Sequence, residues 1–91
     1  MVKRVQVTVY GLVQGVGFRM FVHRSASRLG LKGWVKNMPD GTVRVDVQGS
    51  AGLIDELLKD IRVGPPASKV TSLAVLEKQP DHSMKAFAIL T

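Results

Sequence analysis

Arg19 closes a glycine-punctuated run, Gly11-Leu12-Val13-Gln14-Gly15-Val16-Gly17-Phe18-Arg19, that joins an alternating apolar segment to one of helical period. Gly15 and Gly17 have no Cβ, so the backbone around them can turn tightly and bring its N–H groups close to a ligand. None of the four residues before Phe18 is Ser, Thr, Asp or Asn, so a helix beginning there has no side chain to cap its first N–H groups. An oxyanion can satisfy such groups. Arg19 falls in the first turn, where a cation opposes the helix dipole unless an anion sits beside it. Its guanidinium fork matches phosphate oxygens with two parallel charge-assisted hydrogen bonds, a geometry that lysine cannot reproduce. Residue types and spacing therefore indicate an anion-binding turn. Asn37 offers a second piece of chemistry, because an amide carries both an acceptor and donors and can orient a water without holding a proton. By type alone, two residues before Pro39, it reads first as a turn residue, and only its place in a longer signature, given below, makes it a candidate for chemistry.

The elements that must carry these residues follow from hydrophobic period. Val5, Val7 and Val9 alternate with Gln6, Thr8 and Tyr10, which predicts a strand ending at Gly11. Phe18, Phe21, Val22, Ala26 and Leu29 share one helical face, and Gly30 is placed to end that helix. Leu31 to Met38 reads as a second strand, Pro39-Asp40-Gly41 as a turn, and Val43, Val45 and Val47 as the inward side of a third strand running back antiparallel. Ser50 is the expected cap of a second helix with Leu53, Ile54, Leu57, Leu58 and Ile61 on its apolar stripe, stopped by Gly64-Pro65-Pro66. Val70 to Leu76 is a nearly continuous apolar strand, expected to be covered on both faces, and Phe87 to Leu90 is a short last strand. The order is β-α-β-β-α-β-β. Two helical stripes and a sheet with one apolar face bury each other as a two-layer sandwich, so the expected class is α+β: a ferredoxin-like α/β sandwich, β-α-β-β-α-β with a short extra C-terminal strand, a mixed and mostly antiparallel sheet, and both helices on one face.

Composition bounds what such a fold can be doing. Ninety-one residues are expected to form one domain, residues 1–91, with 45% apolar and 22% charged residues in the range of an ordinary globular protein. The chain has no cysteine, which excludes disulfides, thiolate nucleophiles and thiolate metal sites. The start Met1-Val2-Lys3-Arg4-Val5 lacks the long apolar run of a signal peptide or membrane span, and a cytoplasmic location without membrane attachment is expected. The net charge of +6 raises the question of nucleic acid, but the basic residues are spread over every element with no run longer than two. General attraction of anions explains that distribution better than a dedicated patch.

Other reactive side chains have weaker claims. His23 lies one turn after Arg19 on the polar side of its helix, His82 lies in a loop, and their separation argues against a shared zinc site. Asp40, Asp46, Asp55, Glu56, Asp60, Glu77 and Asp81 form no evident catalytic pair. Trp34 and Tyr10 are packing or surface residues as readily as ligand contacts.

Taken together, these residues resemble the acylphosphatase family over essentially the full length. The most specific match is Gly11 to Arg19, which resembles the family's phosphate-cradle signature. Gly33-Trp34-Val35-Lys36-Asn37 resembles its second signature, with Lys36 where arginine is also common, and Asp40-Gly41-Thr42-Val43, Gly49, Gly64-Pro65-Pro66-Ala67 and Phe87-Ala88-Ile89 resemble later landmarks. The resemblance implies hydrolysis of acyl phosphates. It implies that backbone N–H groups of Gln14, Gly15, Val16, Gly17 and Phe18 cradle the phosphate, that Arg19 binds its oxygens, and that Asn37 holds the attacking water. A carboxylate is a good leaving group, so positioning and charge stabilisation can carry most of the catalysis with no metal, no cofactor and no covalent phosphoenzyme. The expected partners are a small acyl phosphate and, as competing anions, inorganic phosphate or sulfate; no nucleic acid or membrane partner is expected, and the chain is expected to be a monomer.

Two other functions remain compatible with this fold. One is an RNA-binding module, which needs stacking aromatics on a central strand, whereas Thr42-Val43-Arg44-Val45-Asp46-Val47 has none. The other is a non-catalytic domain that binds a phosphorylated ligand without turnover.

Overall fold

The computed structural model describes residues 1–90. Val2–Leu12 forms strand β1, Phe18–Arg28 helix α1, Lys32–Asn37 strand β2, Val43–Ser50 strand β3, Ala51–Val63 helix α2, Lys69–Lys78 strand β4 and Phe87–Leu90 strand β5. The five strands make one sheet in the order β4-β1-β3-β2-β5. β1 runs antiparallel to both β3 and β4, and β2 runs antiparallel to β3 but parallel to β5. This is the mixed, ferredoxin-like sheet that the element order implies.

Register explains why one face is apolar. Val5 pairs with Val47, Val7 with Val45 and Val9 with Val43, while Val35 of β2 pairs with Val45 from the other side. Directly paired residues point to the same face, so the β-branched side chains form a continuous patch. α1 and α2 cover it, burying Val22, Ala26, Ile54, Leu57 and Ile61 against these valines in one core. Each fully buried valine, leucine or isoleucine side chain contributes roughly 1.5–3 kcal/mol. α1 closes as expected at Gly30: the Leu31 N–H reaches back to the Ala26 carbonyl at 2.9 Å and the Gly30 N–H to that of Ser27 at 3.1 Å, the paired bonds of a Schellman motif. Ser50 occupies the N-cap of α2 with extended backbone, but its side chain makes no capping hydrogen bond, so the expected hydroxyl cap is absent.

β4 departs from expectation. It is an edge strand rather than one covered on both faces, and Leu76 on its outer side is 58% exposed. Only Val70 and Leu73 pack against the core. They share a side despite odd spacing because the register between β1 and β4 slips at Tyr10/Gly11, a bulge that leaves Thr71 unpaired. β1 likewise continues past Gly11 to Leu12.

The face opposite the helices is polar and partly covered. Asp46 on β3 is fully buried there, accepting Arg4 Nε at 2.8 Å and Arg4 Nη2 at 2.9 Å, with Gln6 Nε2 at 3.3 Å. That hydrogen-bonded carboxylate raises the Arg4 pKa further, so the guanidinium stays charged. Because β4 and β5 lie on opposite edges, the connection between them must cross this face. Gln48 holds it midway, accepting the Asp81 N–H at 2.6 Å and donating to the Asp81 carbonyl at 3.1 Å. Among the described residues, no helix is long and apolar enough to cross a membrane.

Candidate active site

The sheet register brings the two sequence signatures together. Val9, Val43 and Asn37 lie side by side across β1, β3 and β2, and all three face the helices. The chain leaving β1 therefore enters its loop a few residues from Asn37. Asn37 continues the inward phase of Val35, so a polar amide stands where an apolar side chain would extend the core.

The loop between β1 and α1 is held by its apolar residues and open at its glycines. Val13 and Phe18 are buried and Val16 packs against the core, whereas Gly15 and Gly17 are exposed. Both glycines take left-handed backbone, φ 73° and 77°, which other residues adopt only with strain. Gly17 is also the N-cap of α1, with no side-chain cap and no acidic residue in the first turn. The N–H groups of Gln14, Gly15, Val16, Gly17 and Phe18 make no hydrogen bond to any acceptor among the described residues. Successive unpaired N–H groups in such a turn, running into a helix N-terminus, form a concave site for an anion.

A cavity of about 190 Å³ opens at this point, lined on its polar side by Gly15, Gly17, Phe18, Arg19 and Asn37. Val13, Met20 and Ile89 form an apolar wall. Arg19 is half-buried and has no hydrogen-bond or ion-pair partner among the described residues. The Asn37 Oδ1 atom is buried without a partner. A buried amide oxygen left unpaired costs roughly 1–3 kcal/mol, so its position needs a ligand or water to complete it. Among the described residues, no carboxylate, imidazole or thiol lines the cavity.

The remaining candidates lie elsewhere. Gln14 and Val16 do not line the cavity. The Gln14 side chain instead donates both amide hydrogens to carbonyls of the turn between β2 and β3, Met38 at 2.8 Å and Thr42 at 2.9 Å, a contact that sequence reasoning missed. His23 is half-buried outside the cavity, its ring 6.1 Å from that of Phe87. His82 is exposed, and no cluster of His, Asp or Glu suited to a metal occurs among the described residues. Asp46 and Arg4, read in sequence as unremarkable, form the buried ion pair on the opposite face.

Comparison with known proteins shows the family of the chain. The family model described as acylphosphatase matches residues 5–89. An acylphosphatase of Chlorobaculum tepidum is 57% identical over 89 residues, spanning 98% of this chain and 97% of the relative. Among solved structures, the acylphosphatase of Bacillus subtilis superposes with a TM-score of 0.94 at 36% identity over 100% of both chains. A full-length HypF in its phosphate- and nucleotide-bound form matches with a TM-score of 0.92 at 33% identity, covering 100% of this chain and 12% of the HypF chain. With a family model covering nearly the whole sequence and a relative of this identity over almost its full length, the chain belongs to the acylphosphatase family.

Proposed function

We infer that the chain, acting as one domain, hydrolyses the carboxyl–phosphate bond of acyl phosphates. The phosphate group sits in the cradle of N–H groups from Gln14 to Phe18 with Arg19 on its oxygens. Asn37 Oδ1 accepts a hydrogen bond from a water and aims it in line with the scissile bond. The water oxygen bonds to phosphorus as the phosphorus–oxygen bond to the acyl group breaks, and that bond's electron pair leaves on the carboxylate. The water's proton passes to a phosphate oxygen, giving inorganic phosphate. Fixed donors around the transferring group stabilise the charge that develops in the transition state, and the leaving carboxylate needs no proton.

The observation that carries this reading is the convergence of three incomplete groups on one cavity: the unpaired N–H groups of Gly15, Gly17 and Phe18 in its lining, an arginine with no carboxylate partner among the described residues, and a buried amide oxygen without a donor. Among the described residues, the lining has no side chain suited to strong general base or nucleophile duty, which fits a reaction driven by positioning and charge. The test is hydrolysis of acetyl and benzoyl phosphate by the purified chain in the presence of a chelator. Turnover well above the spontaneous rate is expected, with inorganic phosphate as a competitive inhibitor. Binding of phosphate without turnover would favour a non-catalytic phospholigand domain instead.

A further inference from the structure

We propose that Gln14 is a positioning residue: its side chain fixes the phosphate loop at a set distance from Asn37 by clamping the β2–β3 turn. This rests on the hydrolytic reading above, which uses only the backbone N–H of Gln14, and gives its side chain a separate role that involves no contact with substrate.

The geometry is specific. Both acceptors of Gln14 Nε2 are carbonyl oxygens, of Met38 at 2.8 Å and Thr42 at 2.9 Å, so only the NH2 end of the amide can satisfy them. Those carbonyls are themselves the closing pair of the turn: the Met38 N–H donates to the Thr42 carbonyl at 2.9 Å and the Gly41 N–H to the Met38 carbonyl at 3.1 Å. Asp40 braces the turn from within, its Oδ1 accepting the Thr42 N–H at 3.0 Å and the Thr42 hydroxyl at 2.6 Å. The clamped unit is thus stiff, and Asn37 is the residue that leads into it. On the other side, Gln14 lies between buried Val13 and the exposed Gly15 that lines the cavity. Gln14 is therefore a tie of two hydrogen bonds between the segment that cradles the anion and the segment that carries the water-holding amide.

In-line attack depends on the distance and angle between those two segments. A displacement of about 1 Å in a reacting geometry can cost on the order of a hundredfold in rate. The phosphate itself contacts only the loop and Arg19, so loosening the tie is expected to spare phosphate binding while slowing the chemical step.

The test compares wild type with Gln14→Ala and Gln14→Met, the second keeping side-chain length without donors, using benzoyl phosphate as substrate and inorganic phosphate as inhibitor. The expected result is a kcat lowered about tenfold to a hundredfold, with the phosphate inhibition constant changed less than about threefold and thermal unfolding still cooperative. In an Asn37→Ala background the same Gln14 substitutions are expected to lower kcat by less than about twofold, because residues that act through one another are not additive. Equal kcat in wild type and a folded Gln14→Met variant would overturn the proposal. So would a full additional loss on top of Asn37→Ala, or parallel losses of kcat and phosphate affinity. A wild-type chain without turnover would overturn the hydrolytic reading, and this inference with it.

Discussion

Arg4 and Arg19 are the same residue in two opposite circumstances. On the polar face of the sheet, Arg4 meets Asp46 through two hydrogen bonds of 2.8 and 2.9 Å, with the carboxylate side chain only 1% exposed. At the start of α1, Arg19 lines a cavity with no carboxylate in its wall and no partner among the described residues. A partly buried guanidinium needs an anion in both places. At Arg4 the chain supplies that anion, and the result is structure. At Arg19 it supplies none among the described residues, the helix N-terminus beside it carries no acidic residue, and in the function proposed above the substrate phosphate is the missing anion. The difference separates a cation that holds the fold from one held ready by it, and it sets which substitutions affect stability and which affect chemistry.

The largest expected effect tests the Arg19 side. Arg19→Ala should lower kcat/KM for benzoyl phosphate by about a thousandfold or more, as loss of an arginine on a transferring phosphoryl group does, and should abolish inhibition by phosphate. Its thermal midpoint should not fall, since no intramolecular bond is lost. Next, Asn37→Ala should lower kcat on the order of a hundredfold while phosphate still inhibits, separating the water-holding group from the anion-binding one. On the Arg4 side, Arg4→Met should leave kcat/KM unchanged but destabilise the fold by about 3 kcal/mol in urea unfolding, because Asp46 remains buried without its partner. Adding Asp46→Leu should recover most of that loss. A large activity defect in Arg4→Met would break the comparison.

The smallest effect concerns acid. Hydrogen bonds from the Thr42 hydroxyl and N–H hold the Asp40 carboxyl below its usual range. A carboxyl whose pKa is lower in the folded state stabilises the fold above its unfolded pKa, near about 3.9, and loses that contribution as pH falls through the folded value. Thr42→Val removes one of those bonds, so it should lower stability slightly at neutral pH and make stability less sensitive to pH in the acid range. Acid titration followed by circular dichroism measures it.

Much of the fold was legible because its signals were local and repeated. Val5, Val7 and Val9 against Val43, Val45 and Val47 showed both period and inward face, and Gly30 and Gly64 marked where the helices end. The edge position of β4 was not legible, because apolar run length does not say which strand lies outermost, and the bulge opposite Gly11 changes which residues face inward. At the site, Arg19 announced itself by sitting uncapped in a first turn. Asn37 had a readable signal in falling on the inward phase of Val35, though only the register shows that this phase leads to the loop. The Gln14 tie depends on a contact between segments far apart in sequence, and nothing local to Gln14 predicts it. The Arg4–Asp46 pair was hidden for the same reason.

The place of β1 in the sheet also bears on how the chain acquires its fold. β1 comes first in sequence yet lies in the interior of the sheet, between β3 and β4. Its second neighbour pairs Arg4 with Lys78, nearly the whole length of the chain away. Its alternating valines cannot be fully enclosed until the chain through β4 has been made and brought back. A topology dominated by such distant pairings folds slowly, roughly on the millisecond-to-second scale, because loop entropy is lost before the contacts repay it. During that interval the valines of β1 stay open to solvent, and an early β1–β3 pairing through Val7 and Val45 would shield them.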